Sequence, residues 1–262
     1  VVYKDKVGYP PLIISGKKLS GKKISLSAEI SSQYISALIL IAPILETGLS
    51  IHLEGSIASK PYLEMTLSIL SKIGVNYEFN NNTINIEYLS EIDKTTINVE
   101  SDWSSASYFY SIVALSNKSE LNIGSFYNSS MQGDKELSNI YSKFGVETEF
   151  LNDQGRIILK KINDFVLPKK INIDLTKYPD IAQTIAVTCF GLGISCDLYG
   201  LHTLKIKETD RLLALKIELE KLGGKVHITE NSLHLSSSSK INNGISIDTY
   251  NDHRMAMAFA PL

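Results

Sequence analysis

The sequence predicts an α/β fold, α+β in its layering, built from repeated β-α-β-α-β-β units. Three observations predict it. Strand-like stretches start at Lys23 (KISLSA), Thr96 (TINVES), Lys170 (KINIDL) and Gly244 (GISIDT), so successive starts lie 73, 74 and 74 residues apart. Each stretch runs through a polar turn into an apolar helical run. Glycine also recurs at matching places, after the second helix of each unit. A period this long exceeds the roughly 20–50 residues of solenoid repeats and describes a small subdomain.

Taken in order, each unit opens on a strand in which apolar and polar residues alternate, the signature of a half-buried strand. The first helices follow as SSQYISALILIA, SSASYFYSIVAL, PDIAQTIAVTCF and NDHRMAMAFA. A second alternating strand comes next, LSIHL at 49–53 and ISCDL at 194–198. The second helices carry Leu63, Leu67, Leu70 and Ile73, then Leu137, Ile140, Tyr141 and Phe144, then Leu212, Leu215, Leu219 and Leu222. Spacings of three and four place these on one apolar stripe. Gly74, Gly145 and the Gly223–Gly224 pair supply the expected helix stops. Strand pairs close the units, turning at Asn80–Asn82 and Asn152–Gly155. Three full copies are present, with a fourth represented by its first strand and helix. Packed helix-inward, such units make a globular domain.

Composition narrows the function. The chain has 262 residues, 44% hydrophobic and 21% charged, with a net charge of -2. That is the balance of a soluble globular protein with one large or two medium domains. No basic stripe marks a nucleic-acid partner. The longest apolar run, Ile35 to Leu45, is about half of a bilayer span. Cys189 and Cys196 lie in apolar surroundings and read as reduced thiols of a cytoplasmic protein. The five histidines lack metal-ligand spacing, and no Walker or GxGxxG loop occurs, so neither metal nor nucleotide cofactor is expected.

Polar residues gather where strands hand over to helices, and helix N-termini favour anions. Ser31, Ser32 and Gln33 open one helix, either as N-caps or as donors to a phosphate. Ser59-Lys60-Pro61-Tyr62 opens the next, with a cap and a packing tyrosine as the simpler expectation. Asp180, after Tyr178-Pro179, has the place of an N-cap. The run Lys205 to Arg211 fits a solvated charged face, with Thr209 or Asp210 capping. Yet Lys207 and Arg211 oppose the helix dipole there, a cost that an anion between them would offset. His253 and Arg254 repeat the pattern in the fourth unit.

The stretches YPPL (9–12), SSQYISALIL (31–40), SKPY (59–62), SSASY (104–108), SMQGD (130–134), PDIAQT (179–184), KETDRL (207–212) and NDHRMAMA (251–258) resemble the EPSP synthases, a branch of the enolpyruvyl transferase family. They run in family order over nearly the whole chain. The resemblance implies two domains with the active site in the cleft between them: residues 1–100 in the shikimate-3-phosphate-binding domain and 101–262 in most of the second. It implies transfer of the enolpyruvyl group of phosphoenolpyruvate to the 5-hydroxyl of shikimate 3-phosphate, without cofactor. It also implies a cytoplasmic monomer with small-molecule partners, and neither a nucleic acid nor a membrane. By the same resemblance Asp180 and Glu208 are catalytic. Ser31, Ser32, Gln33, Ser59, Tyr62, Asp180, Thr203 and Lys207 take shikimate 3-phosphate. Gln33, Arg211, Asp252, His253 and Arg254 take phosphoenolpyruvate. Thr203 stands where many members carry Asn. The family's N-terminal Lys, Ser and Arg, its Gly-rich loop and its C-terminal Lys have no counterpart here. The resemblance thus suggests an internal piece of a longer enzyme, inactive by itself. Competing readings are a UDP-N-acetylglucosamine enolpyruvyl transferase and a non-catalytic folded fragment. RNA-end cyclases share related architecture, but the charge balance disfavours them.

Overall fold

The computed structural model describes residues 1–20, 22–29, 31–57 and 59–262. It opens on a small antiparallel pair, β1 (Val2–Tyr3) and β2 (Leu12–Ile13). The first unit then comprises β3 (Lys23–Ser27), α1 (Ser32–Ile41), β4 (Leu49–Glu54), α2 (Lys60–Lys72), β5 (Tyr77–Asn80) and β6 (Thr83–Ile86). The second comprises α3 (Trp103–Leu115), β7 (Glu120–Gly124), α4 (Leu137–Ser142), β8 (Val146–Leu151) and β9 (Arg156–Lys161). The third comprises β10 (Lys170–Asp174), α5 (Ala182–Gly191), β11 (Ser195–Tyr199), α6 (Arg211–Lys221), β12 (Val226–Ile228) and β13 (Ser232–Leu235). Helix α7 (His253–Phe259) follows.

The repeat appears in the sheet topology. Strand order is β3-β4-β6-β5 in the first unit and β10-β11-β13-β12 in the third. In both, the leading strand pairs in parallel with the strand beyond its helix, and the remaining pairings are antiparallel. The second unit keeps only β7-β9-β8.

Two expected leading strands are therefore absent. TINVES at 96–101 makes one ladder-like contact to the edge of β7, Ser101 N–H to the Ser125 carbonyl at 2.7 Å. Its alternate apolar residues Ile97 and Val99 stay exposed, so no buried face holds it in register. GISIDT at 244–249 is also irregular. The leading strands of units one and three owe their hydrogen bonds to the strand after the next helix, and none of the described strands pairs with 244–249. The second helix of unit two is shorter than its stripe suggests: α4 starts at Leu137 but ends at Ser142, before Phe144.

The glycine stops are as expected: Gly74, Gly145 and Gly223 sit at φ 96°, 75° and 98°. Asn81 and Asn82 both take positive φ in the β5–β6 turn, the backbone of a tight hairpin. The helices pack inward as expected. Apolar burial forms two clusters: one from Ala28 to Ile86, centred on Ile35, Ile39, Leu63 and Leu67, the other from Trp103 to Phe259. No described helix is long and apolar enough to cross a membrane.

Candidate active site

The cleft lies where the two clusters meet. Ser31 caps α1, its Oγ accepting from Gln33 N–H at 3.4 Å, and the cap turns Ser32 and Gln33 toward the opening. Ser59 departs from the capping expectation. It sits at φ 54° and makes no side-chain cap bond, while its N–H donates to the Thr176 carbonyl of the third unit at 3.3 Å. That bond pins the start of α2 against the other cluster and leaves the hydroxyl free to line the cleft.

Asp180 departs too. Residues Pro179–Ile181 form a 3-10 turn with no side-chain cap, and the Asp180 carboxylate turns toward cations instead. Arg211 Nη1 donates to it at 3.0 Å, Lys207 Nζ lies at 3.4 Å and Arg254 Nη2 at 3.8 Å. Asp210 takes the capping role at α6 by accepting from Leu213 N–H at 3.0 Å. This leaves Lys207, Glu208 and Arg211 to face inward.

Arg211 is 1% exposed and answers three carboxylates at once. Its Nε donates to Asp252 at 2.7 Å, its Nη1 to Asp180, and its Nη2 to Glu208 at 2.5 Å. A buried guanidinium with its fork filled this way is held rigidly. Asp252 is fully enclosed. Burial alone would raise its carboxyl, but the Arg211 guanidinium and the Arg254 N–H outweigh burial and hold it below 3.8. It also caps α7, accepting from Arg254 N–H at 2.8 Å. Glu208, with half its side chain exposed, is the loosest of the three partners.

Arg254 spans the cleft wall. Its Nη1 donates to the Asp180 carbonyl at 2.9 Å and its Nη2 to Ser104 Oγ at 3.2 Å. Ser104 in turn donates to Asp134, which is completely buried. Burial pushes the Asp134 carboxyl up to about 6, with Ser104 and Arg254 pulling the other way. Tyr62 lies beside Asp134 and Asp180; burial and these carboxylates raise its hydroxyl well above 10.

The resulting cleft, about 430 Å³, is lined by eleven of the expected residues, from Ser31, Ser32 and Gln33 to His253 and Arg254, joined by Tyr34 and Ile206. Tyr62 and Asp252 are the exceptions, standing behind the wall as supports. Thr203 is buried at its edge, and its Oγ1 has no hydrogen-bond partner among the described residues. Ser104 and Asp134 stand in the SSASY and SMQGD stretches of the sequence, which by themselves assign neither residue a role. One signal for Asp134 is the repeat itself: at spacings of 73 and 74 residues it lies in unit two where Pro61 and Glu208 lie in the others, at the start of the second helix.

This arrangement suits anionic ligands and proton movement. Lys207 and Arg254 offer charge to the opening, Ser31, Ser32, Gln33 and Ser59 offer neutral donors, and Asp180 and Glu208 can exchange protons.

Residues 1–261 match the profile of the EPSP synthase (3-phosphoshikimate 1-carboxyvinyltransferase) family. The chain belongs to this family. It is 39% identical over 263 residues to the 3-phosphoshikimate 1-carboxyvinyltransferase of Bacteroides fragilis (strain YCH46), covering all of this chain and 63% of that protein. The corresponding protein of Colwellia psychrerythraea is 33% identical over 264 residues, covering 99% of this chain and 60% of its own length. The chain thus spans 63% or less of these curated relatives. An EPSP synthase structure from Acinetobacter baumannii superposes with a TM-score of 0.71 at 20% identity, covering 99% of this chain and 59% of that one. A second structure from that organism gives 0.69 over 92% of this chain. At such identity the superpositions establish the fold, and it is the enolpyruvyl transferase type that the motif resemblance implied.

Proposed function

We propose that this chain carries the cleft of an enzyme that transfers the enolpyruvyl group of phosphoenolpyruvate to the 5-hydroxyl of shikimate 3-phosphate, releasing phosphate. The observation that carries this reading is the convergence of Lys207, Arg211 and Arg254 with Asp180 and Glu208 in one cleft. Both substrates are multiply anionic. Ser31, Ser32, Gln33, Ser59, Thr203 and Lys207 are the groups we assign to shikimate 3-phosphate, with Tyr62 supporting them from behind. The unpartnered Thr203 hydroxyl supports its place in this set. Gln33, Arg211, His253 and Arg254 face phosphoenolpyruvate, and Asp252 orients Arg211.

Asp180 takes the proton of the attacking hydroxyl in this scheme, while Glu208 delivers a proton to the enol methylene carbon and later removes one. Addition followed by elimination needs both transfers. Glu208 is tied to Arg211 Nη2 before substrate arrives. A substrate carboxylate on that nitrogen displaces it, releasing Glu208 when the reacting carbon is in place. The two apolar cores support a division into domains at about residue 100. Cytoplasmic location, a monomeric state and action without nucleic acid or membrane belong to the same proposal.

The test is phosphate release from phosphoenolpyruvate by the natural polypeptide that carries these 262 residues, with two acceptors in parallel. Release with shikimate 3-phosphate and none with UDP-N-acetylglucosamine is expected. The reverse pattern would assign the sister activity, and silence with both would make the chain a non-catalytic member.

A further inference from the structure

The cleft depends on a short segment that the reaction itself does not explain. Asp252 and Arg254 are presented by Tyr250 and Asn251, two successive non-glycine residues at φ 57° and 54°. Each such residue costs on the order of 1–2 kcal/mol, so something must hold them. The backbone supplies one bond, Asp252 N–H to the Thr249 carbonyl at 2.9 Å.

The Tyr250 ring packs against the larger apolar core, and the side-chain hydrogen bonds come from Glu218, a carboxylate with no exposed surface. Tyr250 OH donates to its Oε1 at 2.6 Å, and the Asp248 N–H donates to its Oε2 at 3.2 Å. Lys221 donates to both oxygens at 2.9 Å and reaches the Asp248 carboxylate at 2.7 Å. Glu218 follows Arg211 on α6 by seven residues, two helical turns, so both lie on one face. Helix α6 therefore grips the incoming chain at two points: Glu218 holds Asp248 and Tyr250, and Arg211 holds Asp252.

We propose that Glu218 is a positioning residue, fixing the left-handed turn at Tyr250–Asn251 and through it the placement of Asp252 and Arg254 in the cleft. The groups assigned to the shikimate phosphate, on α1, at the start of α2 and at Thr203 and Lys207, make no hydrogen bond to residues 248–254 among the described residues; Asp180 alone on that side touches Arg254. The kinetic part of the inference rests on the function proposed above; the structural part does not.

The experiment compares Glu218→Ala, Glu218→Gln and Tyr250→Phe with the unaltered natural polypeptide. Tyr250→Phe removes one hydroxyl and is the control against a Glu218 variant that fails to fold. Expected is a rise of about tenfold in KM for phosphoenolpyruvate in Glu218→Ala and Tyr250→Phe, with KM for shikimate 3-phosphate within about twofold. Glu218→Gln, which can still accept from Tyr250, recovers most of the loss. Amide exchange across 248–256 accelerates about tenfold in the first two variants. Equal changes in both KM values, or unchanged exchange, would overturn the proposal. If the unaltered protein shows no turnover, the enolpyruvyl reading falls, and exchange alone decides the role of Glu218.

Discussion

Asp134 shows what the site asks of a single residue. Its carboxyl is sealed from water, and one of its oxygens has no partner among the described residues. Burial therefore raises it from 3.8 to about 6. A carboxyl raised on folding binds its proton more tightly in the native state, so its stabilisation is full below about pH 4 and lost as pH climbs through about 6. The interval is worth roughly 3 kcal/mol. In urea unfolding between pH 4 and pH 7, Asp134→Asn is expected to gain stability relative to the parent by an amount that grows to about this size. A constant difference would show that Asp134 stays ionised in the fold. Nothing in the composition near Asp134 announces this. Its burial is a product of packing between units; the sequence points to the position only through the SMQGD stretch and its place in the repeat.

Helix starts set the site at the scale of elements. Helices α1, α3, α6 and α7 are capped by the side chains of Ser31, Asp102, Asp210 and Asp252. Helix α2 and the turn before α5 are not, and there Ser59 and Asp180 face the cleft instead. Capping propensity was a sound guide until tertiary partners competed for the same oxygen. The strands at 96–101 and 244–249 failed for a related reason. Alternation states which residues share a face, but pairing needs a partner edge and a core to cover, and neither segment has both. Asp252 carries two duties, and substitution separates them. Asp252→Asn keeps an acceptor for the α7 cap but leaves the buried Arg211 short of a charge, an expected loss of about 3 kcal/mol. Asp252→Ala should lose about 1 kcal/mol more, the worth of the cap. Equal losses in denaturant titrations would mean that the cap contributes nothing.

At the scale of the molecule, two apolar cores meet along a narrow seam: Ser59 N–H on the Thr176 carbonyl, Pro61 beside Gly133 and Lys177, and Tyr62 beside Asp134. The cleft opens at this seam, with the neutral donors of unit one on one side and the charged groups of unit three and α7 on the other. The repeat made the units legible from sequence, because period and glycine stops survive any packing. The joining of Arg211 to three carboxylates was not legible, since those partners lie up to 41 residues away and meet only in the fold. The central claim is that Glu208, released from Arg211, moves a proton at the enol methylene carbon. Turnover of phosphoenolpyruvate and shikimate 3-phosphate in D2O tests it directly. The account predicts deuterium at the vinyl methylene of the product, and a fall of about 10²–10⁴ in its formation for Glu208→Gln. Product free of deuterium, or undiminished turnover in that variant, would contradict it.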